Sequence, residues 1–323
     1  MIASISLDLD NKWSYMKTHG DAGWEAFPSY LDVVVPRVLS LLKELRLKIT
    51  FFIVGQDAAL EGNRGSLRSI ADHGHEIGNH SFHHEPWLHL YSKDQIVDEF
   101  ARSEASILNA TGQRTIGFRG PGFSYSQDVL QVLCDRGYRY DASTFPTFLG
   151  PIARAYYFLH SGLGKRERDQ RKQLFGDWKA GFQPLRPYAW QFGDKKLMEI
   201  PVTTMPWFKV PIHLSYVMYL ATFSKLLAAS YFYSALNFCW LNRVQPSLLL
   251  HPLDFMGCDD ERDLSFFPGM ASPSGPKMAL ASELLGWMAG RFECTTMLQH
   301  AAHAYGPSIR YGTSWNQGQR PNS

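Results

Sequence analysis

The amino-acid sequence predicts an α/β fold: a distorted (β/α) barrel with a mainly parallel sheet. Three observations point there. Short apolar runs of β type alternate with segments of helical period as far as Asp141, the pattern of repeated strand-helix units. Apolar residues make up 45% of the 323 positions against 19% charged, enough to bury a sizeable interior. Residues able to do chemistry recur just past the ends of the apolar runs, where barrel enzymes carry their sites.

Taken in order, Ile2 to Leu7 is a strand-like run ending on acidic residues, and Tyr30 to Leu45 repeats apolar residues at helical spacing. Ile49 to Val54, closed by Gly55, reads as a buried strand, and Ser66 to His73 as a helix stopped by Gly74. A short strand around Glu76 to Gly78 leads into a histidine-rich loop. Lys93 to Asn109 is an amphipathic helix, Thr115 to Phe118 a strand, Gln127 to Arg136 a helix and Tyr138 to Tyr140 a strand. After Asp141 the rhythm breaks: residues 145–195, rich in Pro, Gly, Trp and Tyr, read as an insertion. Strand character returns at Leu197 to Val202. Leu214 to Leu241 follows with one charged residue, Lys225, then a last strand, Ser247 to Leu250, and a helix from Pro276 to Met288. Seven strands are thus expected in one domain over residues 1–304, with an apolar helical segment at 206–243 and a polar, fraying tail at 305–323.

The 32 Lys and Arg against 30 Asp and Glu leave a net charge of +2, which excludes the broad basic footprint of a nucleic-acid binder. Cys134, Cys239, Cys258 and Cys294 are scattered, so neither a disulfide framework nor a cysteine zinc site is indicated. The start, Met1 to Asp8, lacks the basic region, apolar run and cleavage site of an export signal, and a cytoplasmic location is expected.

Asp8 and Asp10 lie two apart at a strand end, so strand geometry points both carboxylates to one face; a solvated strand end or a helix cap would look the same. The stretch His73 to His84 is far denser in imidazole than the chain's 12 His would give by chance. His80 and His84, four apart on a turn, are the candidate ligand pair for a divalent metal, while His75 and His83 read as ordinary core or surface histidines. Arg119 opens Arg119-Gly120-Pro121-Gly122 after a strand, where a rigid turn could aim a guanidinium at a carboxylate, and Asp141 also follows a strand. His251, directly after Leu248-Leu249-Leu250, places an ionisable ring at the mouth of a buried strand. Asp254 could orient that ring, meet a substrate amine, or merely cap a loop.

Together, Asp8-Leu9-Asp10, His80-Ser81-Phe82-His83-His84, Arg119-Gly120-Pro121, Asp141 and Leu248-Leu249-Leu250-His251 resemble, in order and address, the motifs of the NodB-type polysaccharide deacetylases, carbohydrate esterase family four. The likeness runs from residue 1 to about residue 300 and implies the barrel type of that family. It also implies one metal ion, zinc above all, with iron, cobalt or manganese also suited, held by Asp10, His80 and His84. Asp8 is then the general base, Arg119 with Asp141 behind it orients Asp8, and His251 protonates the departing amine. Pro121, Gly122 and Asp254 would face the substrate. The acids depart from the common adjacent pair and look like the separated-acid variant of allantoinase-like and bacterial peptidoglycan deacetylase branches.

The expected substrate is an N-acetyl or N-formyl amino sugar, with three features suggesting a polyprenyl-phosphate or glycolipid carrier at the inner face of the cell membrane. The apolar 214–241 stretch suits an interfacial helix or helix pair, the 165–172 run carries five basic residues against two acidic, and Trp178, Trp190 and Trp207 flank these segments. Core helices and a solvated loop explain the first two equally well. A soluble allantoinase-like amidohydrolase and an inactive carbohydrate-binding barrel are the competing readings.

Overall fold

The computed structural model describes residues 1–150 and 178–305. Its strands are β1 (Ile2–Asp8), β2 (Thr50–Ile53), β3 (Glu76–Asn79), β4 (Gly117–Phe118), β5 (Tyr140–Asp141), β6 (Tyr188–Phe192), β7 (Lys195–Glu199), β8 (Ser247–Leu250) and β9 (Glu293–Thr295). They form one curled sheet in the order β6-β7-β5-β4-β3-β2-β1-β8, with β9 also on β1. The seven expected strands are all present and parallel to one another.

Two strands were not legible in advance. β6 runs antiparallel to β7 inside the segment read as an insertion, and β9 has only three residues. Among the described residues the sheet curls without closing through a paired strand: just past β7, the Thr203 N–H donates to Ser247 O of β8 at 3.0 Å.

β1 shows how period-two alternation builds the site. Ala3, Ile5 and Leu7 are fully buried in the main core, which they share with Leu31, Val34 and Val35 of the helix α2 (Leu31–Glu44). Ser4, Ser6 and Asp8 take the opposite face, inside the curl. There Ser4 Oγ lies 2.8 Å from His300 Nδ1 near the strand's start, while Ser6 and Asp8 meet Arg119 near its end. Close packing inside the curl relies on missing side chains. A Cβ at Gly117 would stand 2.0 Å from Cζ of the buried Tyr140 ring.

The remaining helices, numbered in chain order, are α1 (Lys12–His19), α3 (Gly55–Ala59), α4 (Arg64–Asp72), α5 (Lys93–Thr111), α6 (Gln127–Asp135), α7 (Leu214–Ala221), α8 (Lys225–Leu241), α9 (Ser274–Arg291) and α10 (Met297–Tyr305). α5 starts on a capping box between Ser92 and Gln95 and stops at left-handed Gly112, signals carried by the sequence itself. The apolar 214–241 stretch is a helix pair broken at Thr222–Ser224. α8 buries Ala228, Phe232, Ala235, Leu236 and Cys239 in the core, but Phe223, Leu226 and Leu241 are at least 66% exposed. Among the described residues no helix is long and apolar enough to cross a membrane.

Trp190 differs from its expected interfacial role. It stands on β6, half-buried, with its indole N–H donating to Glu199 Oε2 at 3.0 Å, because the insertion folds back as an edge strand. Tyr305, placed with the tail by its polar surroundings, is instead the last residue of α10. The 165–172 basic run, the Trp178 side chain and the tail beyond Tyr305 lie outside the described residues. All four cysteines are free.

Candidate active site and metal centre

The parallel strands end together on one side of the sheet, and the residues singled out by sequence lie at those ends. Leu7 of β1 is in register with Leu250 of β8, so Asp8 and His251 are the next residues on adjacent strands. Phe52 of β2 pairs with both Asp8 and Gly78, carrying the chain on to Asn79 and His80. The loop after β3 turns tightly through two left-handed non-glycine residues, Ser81 (φ 61°) and His84 (φ 55°). That turn is held from behind by Glu99 of α5, whose Oε1 accepts the N–H groups of Phe82 (2.8 Å) and His83 (2.7 Å). The same acid binds the His83 ring at 2.7 Å, in keeping with the reading of His83 as an ordinary histidine. His75 is buried, its Nδ1 accepting from Ile49 N, and burial pushes its pKa down to about 4.

Asp10, His80 and His84 each offer one ligand atom, all within 4.8 Å of one another. Asp10 Oδ1 lies 3.4 Å from His80 Nε2 and 3.0 Å from His84 Nε2. Neither nitrogen is aligned as a hydrogen-bond donor, so this buried oxygen has no hydrogen bond among the described residues. Burial alone would raise the Asp10 carboxyl, but the two imidazoles outweigh it and hold the group well below the usual carboxylate range. For His80, burial opposes the charged form and the acids Asp8 and Asp10 outweigh it, lifting its pKa. The spot is therefore a sink for positive charge. His80 Nδ1 is 2.6 Å from Arg119 O, an arrangement that fixes the ring and frees Nε2 as a lone-pair donor. One carboxylate oxygen and two imidazole nitrogens with no better partner are a donor set that fits a divalent ion.

His84 rests edge-on against Trp13, with ring centroids 6.3 Å apart. Trp13 is anchored in turn: its indole N–H donates to Asp57 Oδ1 (2.9 Å), as do Asn11 Nδ2 (2.7 Å) and Asn63 Nδ2 (3.2 Å). Asp57 is 1% exposed, and burial pushes its carboxyl up to about 7. Asn11 also caps α1.

Asp8 stands beside this cluster, Oδ2 4.0 Å from His80 Nε2. Its Oδ1 accepts from Arg119 Nη1 at 2.7 Å; Arg119, fully buried, also donates to Ser6 Oγ (2.8 Å) and Ala142 O (3.0 Å). Asp141 differs from the expected partnership with Arg119. Its Oδ1 accepts from Ser143 Oγ (2.6 Å), while Asp141 Oδ2 and Arg119 Nη2 have no hydrogen-bond partner among the described residues. The reason is strand register: Asp141 of β5 pairs with Glu199 of β7, putting two fully buried acids side by side. Burial first, then Glu199, pushes the Asp141 carboxyl well above its usual range. Ser143 links Asp141 to the Arg119 turn by receiving the Gly120 N–H at 2.8 Å. Within that turn Pro121 is buried, and Gly122 is exposed at φ 59°.

His251 is held by two neighbours. Its Nδ1 lies 3.0 Å from Ser215 Oγ of α7, and its backbone N–H donates to Asp254 Oδ2 at 2.8 Å. Asp254 is 1% exposed, so it braces His251 from beneath instead of facing a substrate. The His213 ring stands 6.1 Å from that of His251 and, being buried, has its pKa pushed down to about 3.

Sequence reasoning missed Glu199, Glu99, Asp57 and Ser215. Glu199 left one trace, as the sole acid in the run Leu197 to Val202. Ser215, inside an apolar stretch, left none.

Residues 21–140 match the family model for polysaccharide deacetylase, a span that includes His80, His84 and Arg119. Peptidoglycan deacetylase of Helicobacter pylori is 30% identical over 112 residues, 35% of this chain and 37% of that protein. Peptidoglycan-N-acetylmuramic acid deacetylase PdaA of Bacillus subtilis is 35% identical over 111 residues, 34% of this chain and 41% of that one. The chain thus spans well under half the length of these two relatives. A Mycobacterium smegmatis crystal structure described as a polysaccharide deacetylase superposes with a TM-score of 0.60 at 18% identity, covering 99% of this chain and 95% of the other. Puue allantoinase superposes with a TM-score of 0.56 at 15% identity, covering 95% and 91%. At these identities the two structural likenesses speak to the fold alone, a deacetylase-type (β/α) barrel.

Proposed function

We propose that the protein is a metal-dependent hydrolase removing an N-acyl group, acetyl or formyl, from an amino sugar, a reading supported by the match of residues 21–140 to the polysaccharide deacetylase family model. The observation that carries this reading is the meeting of Asp10, His80 and His84 within 4.8 Å, with Asp8 only 4.0 Å from His80. The relatives named for peptidoglycan deacetylation support the sugar class. Asp10, His80 and His84 would hold a divalent ion, zinc by preference, which when bound would supply Lewis acidity toward a water and an acyl carbonyl.

The chain's own groups do the rest. Asp8 takes a proton from the attacking water, and Arg119, bonded to it at 2.7 Å, keeps the accepting carboxylate aimed. His251 gives a proton to the leaving amine, its ring steadied by Ser215 and its backbone by Asp254. Amines leave poorly without that proton. His251→Ala therefore loses most turnover but keeps the metal. Acetate or formate release from N-acylated amino-sugar oligomers tests the reading. Hydrolysis of cyclic ureides with no release from sugars would replace it with an allantoinase-like activity.

We extend the reading to a lipid-carried sugar at the inner membrane face because of the apolar surface around α7 and α8. Trp207, Phe208, Phe223 and Leu226 are each at least 61% exposed, more than solubility requires. Flotation with anionic vesicles tests this part: a protein that stays at the bottom of the gradient removes the membrane and leaves the deacylase.

A further inference from the structure

The three candidate ligands come from two loops, Asp10 from the one after β1 and His80 with His84 from the one after β3. Their spacing depends on how those loops are held against each other. The short helix α3, which follows β2, is bonded to both. Gly55 N donates to Ser81 O at 2.8 Å and Gln56 N to Phe82 O at 3.0 Å, which docks the start of α3 on the histidine turn. The approach is close: a Cβ at Gly55 would stand 2.7 Å from Phe82 Cδ2.

Asp57, just beyond, reaches the other loop. Its Oδ1 accepts the side-chain N–H groups of Asn11, next to Asp10, at 2.7 Å and of Trp13, whose ring meets His84, at 2.9 Å. Asn63 Nδ2 uses the same oxygen at 3.2 Å, while Oδ2 has no hydrogen-bond partner among the described residues. Asn11 carries the restraint on to Asp10: its Oδ1 accepts from Tyr30 N at 3.1 Å, and the Tyr30 hydroxyl donates to Asp10 O at 2.6 Å. Asp57, Asn11, Trp13 and Tyr30 are all buried, so water does not compete for these bonds.

We propose that Asp57 is a positioning residue of the metal centre, fixing Asp10 relative to His80 and His84 by tying the loop after β1 to the helix docked on the histidine turn. The inference rests on the metal-dependent reading and adds to it a residue that touches neither ion nor substrate. Ligands already held at the spacing of the loaded site give up less freedom when an ion arrives, so the brace acts on metal affinity.

Zinc affinity of the full chain, read by competition with a chromophoric chelator, tests this without any substrate. Asp57→Leu removes the shared acceptor and should bind zinc about 10- to 100-fold more weakly than wild type. Asp57→Asn keeps the one oxygen that all three donors use and should stay within about threefold of wild type. Leu285→Ala, which trims a buried side chain of α9 in the core, should lower the urea midpoint of the metal-free protein and leave zinc affinity in place. If Asp57→Leu shows no cooperative urea transition, Trp13→Phe, which cuts one arm of the brace, has to show a loss of about tenfold. Affinity of the folded Asp57→Leu within about threefold of wild type, an Asp57→Asn as weak as Asp57→Leu, an equal loss in Leu285→Ala, or a wild type that binds no zinc overturns the role given to Asp57. A wild type that binds zinc but releases no acyl group from amino sugars sinks the proposed function instead, and the affinities of the variants still decide the brace.

Discussion

Replacing Arg119 with Met tests whether the guanidinium and Asp8 act as one unit. The change removes a fully buried cation together with its hydrogen bonds to Ser6 Oγ, Asp8 Oδ1 and Ala142 O, at 2.7 to 3.0 Å. It also lifts a cation from the face of Phe52, 4.5 Å from the ring centroid. Asp8 is 4% exposed and cannot turn to water, so its charge is stranded. Breaking a buried pair from one side costs about 3–5 kcal/mol, most of it the penalty of the charge left behind. Asp8→Asn in the same chain removes that charge, and the double variant should recover about 1–3 kcal/mol of the single loss. Urea unfolding of the metal-free protein at neutral pH gives all four corners of the cycle. An Arg119→Met cost under about 1 kcal/mol, or corners that simply add, would refute the coupling and with it the role of Arg119 in aiming Asp8.

Other perturbations have defined outcomes. The Asp57 carboxyl titrates at about 7 in the fold but near 4 in an unfolded chain, so the fold holds a proton that the unfolded chain has lost, and stability falls as pH rises between those values. Asp57→Asn still offers one oxygen to its three donors; it should gain about 2–4 kcal/mol at pH ~8 and almost nothing at pH ~4, and equal gains at both would contradict the assignment. Gly117→Ala drives a methyl into the Tyr140 ring and should cost about 1–3 kcal/mol; an unchanged urea midpoint would mean that the two strands separate freely. Ser215→Ala frees His251 Nδ1 and should lower kcat by roughly tenfold while shifting the pH profile of kcat, which a role confined to packing would leave in place.

Much of the sheet was legible because its strands are short apolar runs closed by polar or glycine punctuation, as at Thr50–Ile53 and Ser247–Leu250. β6 was not, since its Trp and Tyr residues resemble loop composition and only pairing with β7 makes it a strand. For the site, local spacing sufficed for residues that end strands: Asp8, His80, Arg119 and His251. It also put Asp141 at a strand end, but the partner that the resemblance implies for it, Arg119, differs from the one found, because that partner depends on which strand lies next to β5. That strand is β7, more than fifty residues on, bringing Glu199 alongside. For Asp254 the sequence left three roles open, and the choice between them depends on the turn that tucks it beneath His251.

Counting bound metal in the purified protein while following acyl release bears most directly on the proposed chemistry. One divalent ion per chain should be found, its removal by a chelator should abolish release, and added zinc should restore it. His80→Ala should lose both the ion and the activity. Full activity in metal-free protein, or a His80→Ala variant that keeps the ion and the rate, would contradict a centre built on Asp10, His80 and His84.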